Sequence, residues 1–436
     1  MKTKIKGTVF TLLLSGAGIL AMAGCGHKNP SFNKPYRAEV LTLNSVDALG
    51  NENWSVEEKE LATLEKPDSL EGAHFKVILG GTIEINSNVG SLVEGKSRSE
   101  NSSGFFRFSS RNGVMVGRDT TSLLALSTFY AFEQVVMKVK ETTGFEPTDL
   151  IGNSKESYKI FLEPALVDAH SDKKAVLIPK LNAAFNPFSD EFYFFRRSEL
   201  EVHPFSANIK VIAHEFGHAL FKKAFFKGKN DFCVSATQQE IAQRLSDKFF
   251  AGRFTNEFAI SGLNEGYADF NSYVMTSSPR VLSGAVAGTN DASRALNGPD
   301  FTFNQLPSEA VCSGAFYCIG TLFARSLYSA AQTYAAGSKE LMAFSRRINE
   351  AITATPDILN LPPARDILPS PSASSAQCKR SQKISLSYDG AMTSAFLHAF
   401  LKSFPEGEEK SKLCTSFAKF FGDSGFNKEA RSVCPS

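Results

Sequence analysis

The residues best able to do chemistry lie in the run His214-Glu215-Phe216-Gly217-His218. Histidines four apart sit one helical turn apart on one face, so both imidazoles can bind a single Zn²⁺. Glu215, one position on, can reach a metal-activated water without being a ligand, which is the place of a general base. With 7 His in 436 residues, this H-E-x-x-H pattern is expected by chance roughly 0.007 times in a chain of such composition. Ile209, Val211, Ile212, Ala213, Phe216, Ala219, Leu220, Phe221 and Phe225 make the surrounding segment apolar on nearly every side. That predicts a buried helix over 206–226. Ionisable groups on such a helix are costly unless something binds them. Core histidines satisfied by hydrogen bonds are the rival explanation.

A zinc site needs a third protein ligand. Downstream the sequence reads Leu263-Asn264-Glu265-Gly266-Tyr267-Ala268-Asp269-Phe270. On a helix over 257–275, Ile260, Leu263, Tyr267, Phe270 and Val274 share one face, and Glu265 and Asp269 lie opposite. Alone, that is the solvated side of an amphipathic helix. Beside H-E-x-x-H, Glu265 supplies a ligand oxygen, and Asp269 accepts from a ligand His and fixes its tautomer.

H-E-F-G-H followed by N-E-G-Y-A-D resembles the gluzincin metallopeptidases, the broad group of thermolysin-like and aminopeptidase-like enzymes. The resemblance covers residues 182–328 at most. It implies a zincin-like fold, one catalytic Zn²⁺ on His214, His218 and Glu265, Glu215 as general base, and Asp269 orienting a ligand His. The interval from His218 to Glu265 is longer than in familiar members, and 227–252 reads as an inserted helix and loop carrying Cys233. Tyr317-Cys318-Ile319-Gly320 is similar to the segment whose Tyr stabilises the oxyanion in aminopeptidase-like members; a core Tyr in an apolar helix fits the same residues. The strand 191–195, shortly before the zinc helix, is similar to the edge strand that binds an extended substrate through its main chain. An ordinary buried strand is the alternative there. His27, His74, His170, His203 and His398 have no partner at ligand spacing and read as surface or structural.

The elements that must position these groups divide the chain. A strand over 74–86, bent at Gly80-Gly81, precedes a strand or hairpin over 105–116. A long helix follows over 120–141, capped by Thr120 or Thr121. Strands at 158–166 and 174–180 lead to a hairpin of 183–185 and 191–195 around a turn at 186–190. After Pro204 helices dominate, at 206–226, 236–251, 257–275, 315–336, 339–353, 390–403 and 410–421. Strands first and helices later indicate α+β in two lobes: a mixed β-sheet lobe with a helix over 71–205 and a zinc-binding helical lobe over 206–355. A Pro/Ser-rich loop, 356–380, leads to a helical segment, 381–436. Residues 27–67 are polar and weakly patterned, so 25–70 reads as a lipidated Cys and its tether.

Lys2, Lys4 and Lys6 precede an uncharged, mostly apolar stretch ending Leu20-Ala21-Met22-Ala23-Gly24-Cys25. This is a signal peptide over 1–24 in outline, and its end resembles a bacterial lipoprotein box with Cys25 as the lipidated residue. An uncleaved anchor, or a plain secretory signal with an incidental Cys, is the other reading. The location expected is the bacterial cell envelope. Gly26 lacks the Asp of an inner-membrane retention signal, which points to the outer membrane. Of 7 Cys, six remain for disulfides in an oxidising compartment, with connectivity open. Lys plus Arg is 47 and Asp plus Glu is 45, net +2, which gives no electrostatic case for nucleic acid. The reading that results is a lipid-anchored zinc peptidase acting on a peptide or protein substrate. The alternative is a catalytically silent zincin-fold binding or assembly lipoprotein, against which an intact Glu215 counts.

Overall fold

Alternation builds the first strands. Tyr36, Ala38 and Val40 are buried while Arg37 between them is exposed, the signature of a strand with one face on a core. The computed structural model describes residues 34–46, 52–85, 96–99, 106–150, 157–168, 176–177, 183–187, 189–195, 204–229, 256–281, 294–305, 315–361 and 392–435. The chain opens with β1 (Tyr36–Val46), β2 (Glu52–Leu61), β3 (Leu64–Lys66), β4 (Glu71–Gly72), β5 (Phe75–Leu79), β6 (Thr82–Ile85), β7 (Lys96–Ser99), β8 (Phe108–Arg111) and β9 (Val114–Gly117). Most of the expected tether is therefore folded. Its strands escape notice because Lys and Glu occupy both faces of β2, Glu57 and Lys59 opposite Val40 and Ala38 and Glu58 and Glu60 exposed, so no alternation shows.

Helix α1 (Thr120–Thr143) starts at Asp119, whose carboxylate accepts from Ser122 N at 2.7 Å. Asp119 takes the capping role expected of Thr120 or Thr121, since its side chain reaches the unpaired amide three residues on. After it come β10 (Tyr158–Leu162), β11 (Ala165–Asp168), β12 (Val176–Leu177), β13 (Ala183–Asn186) and β14 (Glu191–Phe194). Among the described residues these strands make three sheets, with orders β2-β1-β9-β8, β13-β14-β10-β5-β4-β3 and β12-β11-β6-β7. The bend at Gly80-Gly81 separates β5 from β6, with φ of 74° and 94°. Glu163 and Pro164 break the neighbouring strand at the same level, so the expected strand 158–166 becomes β10 and β11.

The helical half contains α2 (Ile209–Phe225), α3 (Asn256–Thr276), α4 (Ala315–Ala331), α5 (Lys339–Ile358), α6 (Met392–Ser403) and α7 (Glu408–Gly425). Helix α5 runs through Pro356 to Ile358, past the start expected for the Pro/Ser-rich loop. Phenylalanine knits the halves together. Phe75 meets Phe129 at 4.6 Å between ring centroids, Phe132 meets Phe192 at 5.0 Å, and Phe192 stacks on Phe216 of α2 at 5.9 Å. One core runs from Tyr36 to Ala430. The boundary expected near 205 marks a change of secondary structure within that core, because α1 packs on the sheets and on α2 and α5 alike. Cys414 and Cys434 form a disulfide, and Cys318 is disulfide-bonded as well. No helix among the described residues is long and apolar enough to cross a membrane. The signal segment, Cys25 and the expected helix 236–251 lie outside them.

Candidate metal centre

Helix α2 begins at Asn208, whose side chain accepts from Lys210 N at 3.0 Å. As its sequence predicts, it is buried along nearly its whole length, His214 and Glu215 included. Close approach to α3 needs a residue without a side chain. A Cβ on Gly217 would lie 2.6 Å from Ala268 Cα, nearer than packed atoms come. Two α3 side chains reinforce the contact by bonding α2 carbonyls: Asn271 Nδ2 donates to Ala213 O at 2.8 Å, and Ser272 Oγ to Lys210 O at 2.9 Å. On its other side α3 meets α4 through glycines, since a Cβ on Gly266 would fall 2.3 Å from Gly320 O.

This sandwich delivers Glu265 to the histidines. Its carboxylate lies 3.5 Å from His214 Nε2 and 3.8 Å from His218 Nε2. One ligand atom from each of the three residues lies within 4.8 Å of the others. Behind each ring stands an acceptor. His214 Nδ1 is 2.9 Å from Asp269 Oδ1, and His218 Nδ1 is 3.1 Å from Asn264 Oδ1. Acceptors at Nδ1 favour a proton there and turn the Nε2 lone pairs toward the centre. Asp269 is fully buried, so the amphipathic reading of α3 as merely solvated on that side does not hold.

Arg294 is the member that the sequence hides. Its Nη2 donates to Asp269 Oδ1 at 2.8 Å and to Glu265 Oε2 at 3.1 Å, and its Nε to Asp269 Oδ2 at 3.3 Å. It comes from a polar, unpatterned stretch with no motif, so nothing short of the fold places it. Burial pushes the Glu265 carboxyl up, but His218, His214 and Arg294 outweigh it and hold Glu265 well below the usual carboxylate range. Burial pushes the His214 imidazole down, yet Asp269 and Glu265 outweigh it and raise it to about 10. The two directions are the two sides of one charge cluster: the carboxylates favour a positive charge on His214, and the cations keep Glu265 ionised.

Tyr317 lies beside this group, with the Arg294 guanidinium 4.8 Å from its ring centroid. Burial first, then Glu265, pushes its phenol up to about 12, so near neutrality it keeps its proton. Glu215 stands apart from the carboxylate cluster. Its Oε2 accepts from the Phe185 amide of β13 at 2.9 Å. The strand beside the helix is thus β13, at the edge of its sheet among the described residues, whereas Glu191–Phe194 forms β14 inside it, between β13 and β10. That corrects the choice of edge strand, which pairing with β10 decides. Lys222, one helical turn past His218, pins the hairpin turn by donating to Pro187 O at 2.5 Å and Asp190 Oδ1 at 2.6 Å. Of the lone histidines, His74 and His398 fall among the described residues and belong to no three-ligand group there.

No known protein-family model matches this chain, and no curated protein matches it in sequence.

Proposed function

We propose that this protein is a zinc-dependent peptidase of the gluzincin type, anchored to the cell envelope by a lipid on Cys25 and acting on a peptide or protein substrate. One observation carries the reading. Two imidazoles and a carboxylate converge to within 4.8 Å beside a Glu that an edge strand holds by its main chain. Two His nitrogens and one carboxylate, with oxygen acceptors behind both rings, are the donor set of a catalytic zinc that keeps an open position. His214, His218 and Glu265 would hold the ion. When bound, it polarises the scissile carbonyl and makes a water acidic enough to attack near neutral pH.

The chain's own residues do the rest. Glu215, with Oε2 engaged by Phe185, takes a proton from the attacking water and passes it to the leaving amine. Tyr317 keeps its phenolic proton and donates to the developing oxyanion. Because the Phe185 amide points away from β14, residues 183 and 185 turn their main-chain groups outward along the edge of β13. An extended peptide adds there as a further strand. The zincin-like reading of the fold rests on this pairing of an edge strand with the H-E-x-x-H helix.

The test uses purified full-length protein and a peptide library. Glu215→Gln should retain zinc, measured by elemental analysis, and lose about 10²–10⁴-fold in hydrolysis. His214→Ala should lose metal and activity together. Equal cleavage by wild type and Glu215→Gln removes Glu215 as base. Zinc bound with no cleavage by either form would favour the silent binding protein.

A further inference from the structure

Arg294 works only if its own backbone is held, and residues 294–301 have little regular structure to hold it. The hold comes from α4. Arg325 is one of the largest side chains of the chain to be fully buried. Its Nε and Nη2 donate to Ala295 O at 3.0 Å and 2.8 Å, and its Nη1 donates to Pro299 O. The Phe301 ring lies 5.0 Å from the guanidinium carbon and closes the cage.

A planar fork with five donors can bridge two carbonyls in a fixed geometry, which the single ammonium of Lys cannot. Burying it is costly, and burial pushes its pKa down to about 10. An apolar side chain would spare the buried charge but leave the carbonyls of Ala295 and Pro299 without these donors, so the use of the fork is to hold them. The same helix lays Tyr317 against the Arg294 guanidinium. Helix α4 therefore grips the segment twice, at the backbone next to Arg294 and at its side chain.

We infer that Arg325 is a positioning residue of the metal centre: by fixing the carbonyls of Ala295 and Pro299 it keeps Arg294 on Glu265 and Asp269, and so keeps the third ligand aimed. This rests on the metal reading given above. Among the described residues Arg325 bonds carbonyls of the segment that carries Arg294, not the proposed ligands or base; it acts through Arg294.

A double-mutant cycle on zinc affinity, measured by chelator competition with metal-stripped full-length protein, tests this. Arg325→Met and Arg294→Met should each weaken zinc binding by roughly 10–100-fold. The double variant should bind about as weakly as Arg294→Met alone, because both act by one route. Arg325→Lys serves in the same cycle if Arg325→Met does not fold, and should fall between it and wild type. A Val40→Ala variant, destabilised in the sheet of β1, β2 and β9, should keep wild-type zinc affinity and shows what general loss of stability does. Losses that multiply in the double variant would overturn the inference. So would Arg325 variants whose zinc affinity matches wild type while only their melting temperature falls. Either result leaves the metal reading standing, whereas wild-type protein that binds no zinc removes both.

Discussion

At the contact of α2 and α3, Glu265 and Asp269 are largely buried with Arg294 between them and two imidazoles in front. On α1, Glu133 is as deeply buried, and it accepts from Thr63 N at 2.5 Å and Thr63 Oγ1 at 2.7 Å. Among the described residues it forms no ion pair. Burial therefore dominates and pushes the Glu133 carboxyl up, whereas surrounding positive charge holds Glu265 down. The same residue type is thus kept ionised in one place and driven toward neutrality in the other. Depth of burial does not mark a functional carboxylate; its counter-charges do.

The contrast can be broken at its strongest point. Asp269→Asn keeps the shape behind His214 and removes the charge, and should weaken zinc binding by roughly 10–100-fold in chelator competition. His218 is backed by a neutral amide, so Asn264→Ala should lose less, about tenfold at most. Equal losses would mean that charge behind the ring is not what matters. Gly217→Ala tests the geometry that both depend on. Its methyl must push α2 from Ala268, at about 1–3 kcal/mol in urea denaturation, and zinc affinity should drop with it.

The smallest expected effect sharpens the other side. Glu133 has a folded pKa above its unfolded value, so the folded protein holds that proton more tightly. Its contribution is fully present below the unfolded value and is lost as pH rises through the folded one. Glu133→Gln cannot titrate. Its stability relative to wild type should increase as pH rises above the ordinary carboxyl range of about pH 4, read by urea denaturation at each pH. A constant difference would place Glu133 with the ionised carboxylates.

What the sequence reveals of this arrangement follows the range of the interactions. His214, Glu215 and His218 declare themselves because helical geometry is local, and Glu265 and Asp269 follow by the same spacing on a second helix. Arg294 reaches its partners across 25 and 29 residues from a stretch without periodicity, so no pattern announces it. The hairpin of β13 and β14 is legible in its turn residues. Which strand faces the helix is not, because the parallel pairing of β14 with β10 settles it from far along the chain. Strand β2 is hidden because its charged residues fall on both faces, Glu57 and Lys59 on the side of Val40 and Ala38 and Glu58 and Glu60 on the other. Tyr317 could be placed on a helix, but its position against Arg294 depends on how closely α4 approaches α3 through Gly266 and Gly320.

The amide of Phe185 that engages Glu215 belongs to the main chain, and this gives the proposed base an unusual mutational robustness. Every residue but proline offers an N–H at position 185, so side-chain drift there leaves the aiming contact intact. The side of the site built from His214, His218 and Glu265 enjoys no such insurance, because each of its contacts is made by a side chain. Over long divergence the two sides should therefore age differently, with variation accumulating along the strand and stopping at the carboxylates, the imidazoles and the arginine that faces them.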